Sequence, residues 1–121
     1  MALATGLIDE CKQKLVSAKE DILNRVRDAK EGLIKEDTTG DEGDQTVRVL
    51  QESEFVAQQE RLRGRLLEIE SALARIDGGS YGVCEETEEE IEAERLKAIP
   101  WTRLSIEGAE LRESQQRKYA R

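Results

Sequence analysis

Two long apolar stripes, separated by a short acidic turn that carries glycines, restrict the possible folds of this chain more than any other feature. In the first stripe, Leu7, Cys11, Leu15, Ala18, Ile22, Val26, Ala29 and Leu33 recur at intervals of four and three, which lines them along one side of a helix. The spacing predicts a helix from about Leu3 to Asp37, with Gly32 the weak point of its interior. In the second stripe, Phe55, Leu62, Leu66, Ile69, Leu73 and Ile76 follow the three-four alternation of a coiled-coil seam. They predict a helix from about Gln45 to Ile76. Between the two, Thr38-Thr39-Gly40-Asp41-Glu42-Gly43-Asp44 favours a turn, because glycines and side chains that bond their own backbone interrupt a helix. Asp41 or Asp44 is placed to cap the helix that follows. Helices joined by so short a connection pack antiparallel, and at a rise of ~1.5 Å per residue each is on the order of 50 Å long. The expected object is a narrow rod with an acidic tip near residues 38–46.

Composition agrees with an elongated shape. A chain of 121 residues with 38% charged and 37% apolar side chains has room for one ordinary domain but little to fill a broad core. Aromatic residues are 3% of the total, too few for the stacking platforms of single-strand binders. A net charge of -8 and a pI near 4.7 argue against a phosphate-binding surface. A protein partner is therefore expected, without direct DNA binding. No apolar run approaches the roughly 20 residues of a membrane helix, and no secretory signal pattern is present; a cytoplasmic protein is expected. In such a compartment Cys11 and Cys84 are expected as unpaired thiols, with Cys11 a small buried hydrophobe on the first stripe. There is no histidine, nucleophile motif or phosphate loop, so no enzyme is expected.

Asp77-Gly78-Gly79 is suited to end the second helix, dividing the chain into a coiled-coil domain, 1–77, and a small head, 78–121. Within the head, Glu85 to Glu90 forms an acidic surface run, apart from Thr87. Thr87 with Glu90 forms a candidate capping box for a short helix to about Ala98, which Pro100 stops. A final helix is expected from about Ile106 to Tyr119, and Val83, Ile91, Leu96, Trp101 and Leu104 are the candidate head core. Cys84 with Thr87, and Ser105 with Gly108, have the pair spacing of a four-cysteine zinc finger. Hydroxyls are poor zinc ligands and glycine has no side chain. The metal expectation is accordingly none: a degenerate finger, without zinc or another cofactor, held by packing. Glu85 and Glu86, flanking Cys84, are expected to raise its thiol pKa.

The run from Tyr81 to Pro100, Y-G-V-C-x-x-T-x-x-x-I-x-x-x-R-L-x-A-x-P, resembles the C-terminal finger of the DksA/TraR family of bacterial RNA polymerase regulators. In that family's register the acidic tip motif, Asp-x-x-Asp, falls on Asp41-Glu42-Gly43-Asp44. The resemblance covers essentially the whole chain and departs at three of four cysteine positions, as in paralogues with degenerate fingers. It implies an all-α fold: a long antiparallel two-helix coiled coil with an acidic tip, a finger-like head and a C-terminal helix. It further implies a monomer whose tip enters the secondary channel of RNA polymerase and alters open-complex stability, for example at rRNA-type promoters. Asp41 and Asp44 would act at the tip, with Thr46 where the family has a small alanine. Arg61 and Arg95 match basic positions and are the candidate polymerase contacts, although the ordinary role of helix-surface arginines is pairing with neighbouring glutamates. Glu68, Ile99 and Ala109 stand where basic side chains would face the alarmone ppGpp, which implies weak or altered dependence on it. The alternatives are a Gre-like secondary-channel modulator and a non-catalytic coiled-coil adaptor.

Overall fold

The structure, a computed structural model, describes residues 5–36 and 45–119. Among these residues four helices follow one another: α1 (Thr5–Glu36), α2 (Gln45–Gly78), α3 (Ala93–Ala98) and α4 (Ile106–Tyr119). Among the described residues there is no strand, only an isolated bridge between Val83 and Glu90. The all-α expectation therefore holds. The long helices α1 and α2, of 32 and 34 residues, pack along one another, with Lys19 Nζ 3.8 Å from Glu70 Oε1 across the pair. Asp41 and Asp44 lie outside the described residues.

The seam is built from the predicted stripes. Cys11, Leu15 and Ile22 of α1 and Ile69 and Ala72 of α2 are buried, with Ala18, Val26, Leu62, Leu66, Leu73 and Ile76 packed against them. Two helices alone cover a side chain from only two directions, so complete burial needs a third element. The head supplies it. Tyr81, Cys84, Ile91 and Leu96 belong to the same buried cluster. Helix α3 packs against α1, where the Cys11 thiol faces the Leu96 carbonyl at 3.6 Å and Lys14 Nζ donates to the Lys97 carbonyl at 3.0 Å.

Helix α2 extends two residues beyond the expected Ile76. Its end is a Schellman closure, with Ser80 N–H donating to the Arg75 carbonyl at 3.0 Å and Gly79 N–H to Ile76 at 3.3 Å. Gly79 has φ +83°, which glycine adopts without a Cβ clash. The proposed capping box at Thr87 and Glu90 is not formed, since α3 begins only at Ala93. Residues 83–90 instead fold into a tight loop, because Thr87 N–H points to the Cys84 sulfur and Thr87 Oγ1 accepts from Glu89 N–H at 3.3 Å. Val83, expected in the head core, is 44% exposed, and Tyr81 and Cys84 are buried there.

Ile69→Ala should lower the unfolding free energy by about 2–5 kcal/mol, the range for truncating a buried aliphatic side chain. Leu67→Ala, at a position 61% exposed, should stay within roughly 0.5 kcal/mol; urea unfolding of the two variants checks the contrast.

Candidate functional site

The head is organised around one sulfur atom. Cys84 is wholly buried at the start of a loop closed by Cys84 N–H to Glu89 O at 2.8 Å, Glu88 N–H to Cys84 O at 2.9 Å and Ile91 N–H to Gly82 O at 2.8 Å. The Ser105 hydroxyl donates to Cys84 Sγ at 3.4 Å and Thr87 N–H at 3.5 Å. Ser105 Oγ in turn accepts from Gly108 N–H at 3.0 Å, which makes it the N-cap of α4. A Cβ at position 108 would clash with Cys84 Sγ, so Gly108 lets the helix sit directly over the sulfur. All four positions of the finger pattern, Cys84, Thr87, Ser105 and Gly108, thus meet in one place.

The charge state of this thiol differs from expectation. Burial opposes the thiolate, but hydrogen bonds from the side chains and backbones of Ser105 and Thr87 outweigh it and bring the pKa from 9.0 to about 6. The flanking carboxylates do not raise it because arginines hold them: Glu85 Oε1 lies 3.0 Å from Arg103 Nη1 and Glu86 Oε2 2.9 Å from Arg112 Nη2. The acidic run is therefore partly a set of ties from loop 85–86 to its neighbours.

A second group joins head to rod. Arg103 reaches α2 through Nε to Glu68 Oε2 at 3.2 Å and Nη2 to Ser71 Oγ at 2.8 Å. Arg75 donates to the same Ser71 oxygen at 2.8 Å and to the Trp101 and Thr102 carbonyls at 3.3 and 3.4 Å. Arg65 stacks over Trp101, 4.1 Å from the ring centroid, a cation–π contact rather than a glutamate pair. Beside these residues runs an open groove lined by Arg61, Arg65, Glu68, Trp101 and Arg112, among others. Arg61 is exposed. Arg95 is half-buried, and its Nε–H donates to the Leu104 carbonyl at 2.8 Å, so the head already uses one of its donors. Thr46 is exposed in the first turn of α2, far along the rod from this cluster. Arg103 and Ser71 were not among the candidate residues. No spacing rule connects positions 32 residues apart in different elements; the only signal is a charge, Arg103, inside the otherwise uncharged stretch from Ala98 to Ile106 apart from itself.

Rod and head together define a coiled-coil protein with a finger-type globular end. Residues 79–113 match the prokaryotic dksA/traR C4-type zinc finger. The chain is 38% identical over 109 residues to the RNA polymerase-binding transcription factor DksA of Caulobacter vibrioides, covering 88% of this chain and 75% of that protein. An uncharacterized protein of Aquifex aeolicus is 35% identical over 108 residues, covering 86% and 74%. Among solved structures, transcription factor DksA2 from Pseudomonas aeruginosa matches with a TM-score of 0.87 at 29% identity, over 94% of this chain and 88% of that one. The chain belongs to the DksA/TraR family.

The match corrects the expectation that zinc and every other cofactor are foreign to this protein: the segment is a member of a C4-type zinc-finger family, and its frame is a zinc-binding motif. The donors that this chain places there are one thiol, two hydroxyls and a glycine backbone. They do not make up a four-thiolate set. Among the described residues no three His, Cys, Asp or Glu side chains are grouped to hold an ion, and Cys11 lies apart, against Leu96.

Gly108→Ala should destabilise the protein, and Cys84→Ala in the same chain should recover part of the loss by removing the clashing sulfur; a double-mutant cycle of unfolding free energies measures the coupling. The thiol also imposes a pH dependence. Its folded pKa is depressed, so the stabilisation is complete above the unfolded value of 9.0 and lost as pH falls through about 6. Stability should rise between those two pH values in the wild type, and the rise should be smaller in Cys84→Ala, as read from urea midpoints across the range.

Proposed function

We propose that this protein is a transcription regulator that binds bacterial RNA polymerase directly. The observation that carries this is the 38% identity, across 88% of the chain, to a factor named for binding that enzyme. The match in overall shape to DksA2 supports it. The finer part of the proposal is that the end of the rod where residues 38–46 connect α1 to α2 enters the polymerase's secondary channel. There Asp41, Asp44 and Thr46 act on mobile elements near the active site and change open-complex stability, while Arg61 and Arg95 steady the rod and head at the channel mouth. A rod of α1 and α2 extends on the order of 50 Å by helix geometry, long enough to hold a tip well away from the head. Carboxylates at such a tip act by charge and hydrogen bonding.

Dependence on ppGpp is proposed to be weak. A polyphosphate needs free cations around it. Glu68 pairs with Arg103 at 3.2 Å, so an anion arriving there would meet a carboxylate and compete for an engaged arginine.

In vitro transcription from an rRNA-type promoter with purified polymerase tests the proposal. The wild-type protein should inhibit. Asp44→Asn should raise the concentration for half-maximal inhibition by roughly tenfold or more, as for loss of a charged hydrogen bond of about 1.5–3 kcal/mol. Addition of ppGpp should deepen inhibition only slightly, and strong synergy would remove that part of the proposal. No effect on transcription would favour the adaptor, and transcript cleavage in stalled complexes would favour the Gre-like modulator.

A further inference from the structure

The apolar stripe of α2 has a gap. Phe55, Leu62, Leu66, Ile69 and Leu73 keep the heptad spacing, and the seam position between Phe55 and Leu62 is occupied by Gln59. Its carboxamide nitrogen is enclosed and has no hydrogen-bond partner. The register set by Lys19 opposite Glu70 places Gln59 beside the turn of α1 that carries Val26 and Ala29, two half-buried apolar residues. An amide nitrogen of a half-buried side chain is thus held in the seam without a partner, which costs stability locally.

The surroundings differ on its two sides. Toward the head the seam contains the wholly buried Leu15, Ile69 and Ala72. Toward the tip no described seam position reaches that state: Phe55 and Arg48 are half-buried and Glu52 is exposed. We infer that Gln59 divides the rod into a firm stem and a compliant distal arm, so that α2 from residue 45 to 58 separates from α1 without disturbing the stem. When the arm opens, the amide nitrogen regains water and the α2 side chains from residue 45 to 58 that lose cover are at most half-buried to begin with, so opening is inexpensive there. A single polar residue in an otherwise apolar seam also specifies register at a cost in stability. The device is a property of the rod and is independent of the proposed function.

Hydrogen exchange by mass spectrometry on the full chain tests it with two variants. Gln59→Leu completes the stripe and should slow exchange over residues 45–58 by about tenfold, equivalent to roughly 1.4 kcal/mol, leaving residues 66–76 unchanged and raising the thermal midpoint. Gln59→Glu places a charge in the same position and should speed exchange in the arm alone. Unchanged exchange in the arm of Gln59→Leu, a lowered midpoint in that variant, or a change spread evenly along both helices in either variant would overturn the inference.

Discussion

A pair of antiparallel helices cannot enclose its own seam, and much of this structure answers that constraint. Side chains between α1 and α2 become wholly buried where the head lies across them, as at Cys11 beneath Leu96. The head, in turn, has few large apolar side chains of its own and relies on the rod to finish its core. The two regions share one buried cluster running from Leu15 and Ile69 to Ile91 and Cys84. Arginines on both sides of the junction, Arg75 and Arg103, donate to the one Ser71 hydroxyl and fasten the contact. Several of these ties are half-exposed ion pairs, each worth little alone. Their value lies in positioning: they join the 101–103 loop to α2 at a fixed place, which apolar packing does less specifically.

Within the head, a single sulfur takes the place at which a finger's ligands converge. The Cys84 loop directs N–H groups and hydroxyls at Sγ, and α4 begins there because Ser105 serves both the sulfur and the helix cap. Gly108 is needed because the helix axis passes too close for a side chain. A zinc-finger fold is therefore present in backbone and in loop geometry, while the donor set is this chain's own.

The elements were largely legible in the sequence because the helical period of the apolar residues repeats over many turns. The final helix and the glycine stop after α2 were legible for the same local reasons. Thr87 misled, because its spacing to Glu90 satisfies a capping rule, yet its N–H faces the Cys84 sulfur and its hydroxyl accepts from Glu89 within a loop that ends before α3 begins. Val83 misled as an apolar residue in a small head, where the bridge to Glu90 leaves it at the surface. The glutamates beside Cys84 suggested a raised thiol pKa, since adjacency in sequence says nothing of the arginines that neutralise them.

By itself the sequence determined the rod, the finger spacing and the family that these identify. Each is written in residues close together along the chain, where periodicity and steric preference act directly. Only the tertiary structure decided that Arg103 meets Glu68 and Ser71, that Arg65 lies over Trp101 and that the Gln59 amide nitrogen is enclosed without a partner. These outcomes depend on which distant surfaces come together and on what then surrounds each polar group, and spacing along a chain does not encode either.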